Sequence, residues 1–169
     1  MGQRVIITQW IHPHIVELLS RSLEVVPNMT GKGLSRQELL RRAQDAQGIM
    51  AFPTDVIDED LLDRCTDLII VAGAFDGLGR VDVQACTYRG VWVTNVSGPS
   101  TPPFPASLLS RRRSGLSAEE ERRMAALALE AAANIFEAFI EERPKGAVNS
   151  PHRRLRPKRP IHAPSASSS

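Results

Sequence analysis

The stretch LIIVAGAFDGLGRVDVQACTYRGVWVT, residues 68–94, sets the architecture of this 169-residue chain. An apolar β-type run over 68–71 leads into a loop holding Gly73, Gly77 and Gly79. Asp82 then caps a short helix reaching Arg89, Gly90 stops it, and a second β-run follows over 91–94. A strand, loop, helix and strand in that order form the unit that gives parallel sheets their ligand-facing loops.

Upstream, the same alternation repeats. Residues 4–8 (RVIIT) read as a buried strand, being β-branched and bounded by polar residues. Pro13 suits the first turn of a helix running to about Ser20, where its missing N–H would have no partner anyway. A short strand over 23–26 closes at Pro27. Ser35 and Glu38 have the spacing of a capping box, with Leu34 and Leu39 as its staple, opening a helix to about Ala46. Residues 48–52 form a third strand, and Asp58 caps a helix through Arg64 with Ile57 and Leu62 as its staple. Five strands separated by helices predict an α/β fold, a flavodoxin-like doubly wound parallel sheet, because β–α–β crossovers are right-handed and cover both faces.

The pattern breaks after Val96. Residues 97–114 (SGPSTPPFPASLLSRRRS) carry four prolines and several serines and read as a linker. Ser117 and Glu120 form a second capping box, opening a helix to about Glu142 that Pro144 ends. Met124, Leu127, Ala128, Ala131, Ile135 and Ala138 make its apolar stripe, an ordinary core-facing pattern. Residues 150–169 are Pro, Ser and basic groups, too poor in apolar surface to offset the entropy of ordering, and are expected to be disordered.

Composition excludes several classes. No apolar stretch approaches the roughly 20 residues of a membrane span, and no secretory leader is legible at the N-terminus. Cys65 and Cys86 read as free structural thiols in a reducing, cytoplasmic compartment. The net charge of +2 hides basic clusters at 111–113 and 153–159. Lacking interleaved aromatics or a recognition helix, the tail reads as a solvated terminus rather than a nucleic-acid arm. His12 and His14 have no Cys or Asp at ligand spacing and read as surface residues. In the glycine loop, the third glycine of a dinucleotide fingerprint is replaced by Asp82, so the loop reads as a tight turn or a small-ligand loop.

These residues resemble the substrate-binding ("catalytic") domain of the NAD-dependent D-2-hydroxyacid dehydrogenases, and in particular their phosphonate (phosphite) dehydrogenase branch. The carrying segments are LLRRAQDAQGIMAF (39–52), VIDEDLLDRC (56–65) and VDVQACTYRGVWVTNV (81–96), and residues 125–149 look like the family's closing helix. The resemblance implies a substrate-binding domain over 1–96 and a linker over 97–116 in place of the NAD-binding domain. It also makes 117–149 the closing helix of the same domain and leaves 150–169 as a basic tail. Phe75, Asp76 and Gly77 then become a degenerate substrate loop. Asp76 stands where the phosphonate branch carries a Lys, and Gly79-Arg80 replaces the usual Asp-Asn pair. Arg112-Arg113-Ser114-Gly115 stands where the family's Pro-His-Ile-Gly motif is expected, without its histidine.

The catalytic Arg and Glu fall in the absent domain. NAD is the family's cofactor, but the resemblance implies no cofactor, no metal and no catalytic residue in this chain. A truncated oxidoreductase-family member, not catalytic alone, is expected. The alternative is a non-catalytic interaction module or gene remnant that associates with itself or with a full-length homologue.

Overall fold

The computed structural model describes residues 2–98, 101, 104, 116–140 and 142–151. Along the chain run β1 (Arg4–Ile7), α1 (Pro13–Ser20), β2 (Glu24–Val26), α2 (Arg36–Ala43), β3 (Gly48–Ala51), β4 (Val56–Ile57) and α3 (Glu59–Arg64). They are followed by β5 (Ile70–Gly73), β6 (Arg80–Val81), α4 (Val83–Tyr88), β7 (Trp92–Thr94) and α5 (Ala118–Phe139). The main sheet is five-stranded with order β2-β1-β3-β5-β7, and every pairing in it is parallel. This is the doubly wound arrangement expected from the sequence, with its switch point between β1 and β3.

Side chains of the strands alternate between two cores, since successive residues of a strand point to opposite faces. Val5, Ile7, Met50, Ile70 and Ala72 pack with α1 and α5. Ile6, Ile49, Ala51, Val71 and Val93 pack with α2, α3 and α4. The central strands β3 and β5 are apolar throughout, as strands buried on both faces require. From β3 onward the crossovers α3 and α4 stay on one face. The opposite face of β3, β5 and β7 is left to α5, whose Met124, Leu127, Ala128, Ala131, Ile135 and Ala138 are all buried. Gly48 permits this close approach: a Cβ there would lie 3.2 Å from the Phe139 ring and from Val5.

Local signals decide most helix starts. Ser35, Asp58 and Asp82 each accept a backbone N–H, from Glu38, Leu61 and Ala85 respectively. The Ser117–Glu120 capping box is complete in both directions. The box at Ser35 is only half made, because the Glu38 carboxylate turns to Arg41 and Arg42. Those two guanidiniums pull the Glu38 pKa down to about 2.

Several boundaries differ from the sequence reading. The strand expected over 68–71 begins two residues later, at Ile70. Pairing with β3 sets that register, while Ile69 donates its N–H to the Gln47 carbonyl ahead of the strand (2.8 Å). Helix α2 stops at Ala43 and α5 at Phe139, so Pro144 does not end α5. Instead the chain turns back, and 144–149 lies along β7. Thr94 and Ala147 form an antiparallel bridge, and Val148 donates to the Val93 carbonyl (2.9 Å). The small parallel pair β4–β6 is a further element without a sequence signal. Most of the expected linker (97–116) and of the expected tail, from residue 152 on, lies outside the described residues.

Candidate functional site

Ligand loops of a doubly wound sheet lie at the carboxyl ends of its strands, and the glycine loop after β5 is found there. Its three sequence-derived positions separate. Phe75 is 3% exposed and forms the floor of the loop, its ring clasped between Gly73 and Gly79. A Cβ at Gly79 would lie 2.9 Å from that ring, and Gly79 adopts φ +54°, so the loop needs glycine there twice over. Gly77 sits at φ +100° with open space around it, and Asp76 and Gly77 are both exposed. Asp76 and Gly77 can therefore meet a ligand, whereas Phe75 can only shape the loop beneath them.

Neighbouring loops hold this one in place. Val96 donates to the Phe75 carbonyl (3.1 Å), the Asn95 amide to the Gly77 carbonyl (3.3 Å), and Ala74 to the Ala51 carbonyl (2.9 Å). Further along the edge, three buried polar side chains tie β1, β2 and β3 together. Asn28 donates to the Thr8 and Lys32 carbonyls, and the Thr8 hydroxyl donates to Asp55. Asp55 also accepts the Phe52 N–H (2.8 Å). Composition gave no hint of this network, although an Asp shortly after a strand is a familiar loop signal. Burial raises the Asp55 pKa, opposed by those two hydrogen bonds.

A carboxyl held above its ordinary value binds its proton more tightly in the folded chain. Its contribution to stability is therefore fully present below the unfolded value and is lost as pH rises through the folded one. An asparagine in place of Asp55 keeps an acceptor for the Phe52 N–H and has nothing to ionise. Asp55→Asn should therefore flatten the decline in urea midpoint above the ordinary carboxylate range. An unchanged pH profile in the variant would contradict this assignment.

The remaining candidates resolve as structural. His12 and His14 are exposed, and the His12 ring takes an unanticipated part, its Nδ1 accepting the His14 N–H as the cap of α1 (3.2 Å). Cys65 and Cys86 are buried and free. Desolvation pushes their thiols up to about 11 and about 12, so neither is a nucleophile near neutral pH. Among the described residues there is no cluster of metal-ligating side chains, and no helix is long and apolar enough to cross a membrane.

A dinucleotide's phosphates need free N–H groups at a helix start. Each described helix fills that position with its own cap: His12, Ser35, Asp58, Asp82 or Ser117. Two of these caps are carboxylates, and Glu120 closes a third start. Among the described residues, every helix start thus has one of its first N–H groups taken by the chain's own side chain.

Fold and loop together define a doubly wound domain with a glycine loop at its carboxyl edge. The family model for "D-isomer specific 2-hydroxyacid dehydrogenase, catalytic domain" matches residues 5–149, and the chain belongs to that family. A glyoxylate reductase of Aeropyrum pernix is 35% identical over 98 residues, covering 58% of this chain and 29% of the relative. A glyoxylate reductase of Thermococcus kodakarensis is 30% identical over 112 residues, covering 64% of this chain and 34% of the relative. Among solved structures, the TT0316 protein of Thermus thermophilus aligns with TM-score 0.51 and 31% identity, over 59% of this chain and 32% of that one. The chain thus spans about a third of the length of these relatives. The two named relatives are glyoxylate reductases, so the phosphonate-type reading of the loop rests on its residues alone.

Proposed function

We propose that this chain keeps the catalytic-domain fold of the D-2-hydroxyacid dehydrogenases without their hydride-transfer apparatus. It acts by associating with a second polypeptide, another copy or a full-length relative, in a reducing cytoplasmic setting. The observation that carries this reading is the connection from β7 to α5. Only residues 97–116 join the two blocks of the domain, and a single β–α–β unit already takes roughly 30 residues or more. No dinucleotide-binding domain fits between them. Hydride transfer needs a nicotinamide held against the substrate and a proton donor for the alkoxide. The family's His position is Arg112-Arg113-Ser114-Gly115 here, and the capped helix starts offer no cradle for phosphates.

The loop itself reads as a phosphonate-type anion loop with its charge reversed. The order of residues over 81–96 supports that branch, and the Asp76 carboxylate is exposed on the loop that would receive an anion. A like charge there disfavours a carboxylate or phosphonate ligand.

Titration with NADH, followed by its fluorescence, should show no saturable binding. Assays with glyoxylate, D-2-hydroxy acids and phosphite should give no turnover above buffer. Asp76→Lys should add weak affinity for anions and still no turnover, because positioning and proton transfer remain absent. Saturable NADH binding or turnover by the wild-type chain would overturn the reading. Sedimentation showing a strict monomer, both alone and mixed with a full-length relative, would remove its association half.

A further inference from the structure

Next to the glycine loop, a half-open cavity of about 630 Å³ lies beside β7. Its walls are residues 95–98, the exposed side of α5 and the returning segment 145–148. That volume is within the range of small-molecule sites. Much of the wall is apolar, from Val96, Leu127, Leu129 and Val148. Leu129 and Val148 are 45% and 39% exposed, so the cavity offers uncovered apolar surface.

The polar groups in this wall are few and specific. Asn134 is 5% exposed and lines the cavity. Its Oδ1 accepts the Gly146 N–H (2.9 Å), while its Nδ2 has no acceptor among the described residues. With the Oδ1 committed to Gly146, the Nδ2 donor is the part of this amide left for a ligand oxygen. Lys145 and Glu130 also line the cavity, and neither has an ion-pair partner among the described residues. Glu130 lies four residues before Asn134 on α5, which places it one turn away on the same face, roughly 6 Å along the helix.

Among the described residues, one cation and one anion without ion-pair partners make the wall neutral, so a simple anion gains little from it. A molecule carrying both charges gains from each. We propose that this cavity binds an α-amino acid with an aliphatic side chain. The ligand carboxylate takes the Asn134 Nδ2–H and the Lys145 ammonium, its ammonium faces Glu130, and its side chain lies against Leu127, Leu129 and Val148. The site adjoins the glycine loop through Asn95 and Val96, uses none of Phe75, Asp76 or Gly77, and does not depend on the function proposed above.

The test uses the full chain and L-leucine as the probe, by calorimetry and by amide shifts of Gly146 to Val148. One-to-one saturable binding is expected, with a Kd on the order of 0.1–1 mM for so small a ligand. Glu130→Gln and Lys145→Gln should each weaken it about tenfold. Neither side chain makes a bond among the described residues, so both variants should unfold like the parent. The analogues 4-methylpentanoate and 3-methylbutylamine, each lacking one charge, should also bind about tenfold more weakly. No saturation up to about 10 mM L-leucine overturns the proposal. So does parental affinity in both variants, or an analogue that binds as tightly as leucine.

Discussion

A chain ending before Ser117 should fail to unfold cooperatively. The crossovers after β3 lie on one face of the sheet, so on the other face α5 is the helix packed against β3, β5 and β7, in one core with Met50, Ile70 and Ala72. Burying Met124, Leu127 and Ile135 contributes roughly 1.5–3 kcal/mol each, and the buried alanines of the stripe add smaller amounts. The total is on the order of 10 kcal/mol, comparable with the whole stability of a domain this size, about 5–15 kcal/mol. Leu127→Ala tests the same packing more gently and should cost about 2–5 kcal/mol. Urea unfolding followed by the fluorescence of Trp10 and Trp92 reports both. A truncated chain with the parent's sigmoidal transition and midpoint would mean that α5 is an appendage.

The importance of α5 was legible because its signals are local and redundant. A complete capping box, a stripe of period 3.6 and an uninterrupted helical composition agree over its whole length. Helix α1 was legible for a similar reason, since Pro13 fixes its first turn. What the sequence hid depends on partners distant in the chain. β5 starts at Ile70 rather than Leu68 because β3 sets its register, although both residues are equally buried. β4 and β6 are two residues each and exist only as a pair. The site divides along the same line. Loop glycines are visible in sequence, but the inward turn of Phe75 follows from packing against Gly73 and Gly79. Asn134 and Asn149 look like ordinary polar residues until the fold buries them.

Asn149 carries the second large effect. The returning segment closes the β7 edge of the sheet, and Asn149 finishes the closure with its side chain in place of a further peptide. Its Oδ1 accepts the Val93 N–H (2.9 Å), and its Nδ2 donates to the Val91 carbonyl (2.9 Å) and to the Thr87 hydroxyl (3.0 Å). Asn149→Ala leaves the Val93 N–H and the Val91 carbonyl without partners in a buried setting, and each such loss costs about 1–3 kcal/mol. A decrease of about 2–5 kcal/mol in unfolding free energy is expected, with faster amide exchange at Val93 and Val148. Asn149→Asp separates the two halves of the role. Its carboxylate still accepts from Val93 but cannot donate to the Val91 carbonyl and repels it. That variant should be at least as unstable as Asn149→Ala at neutral pH. Its stability should recover on acidification, because the protonated carboxyl regains a donor. An aspartate variant with a flat pH profile and parental stability would show that the β7 edge is held by the backbone bridge at Ala147 alone.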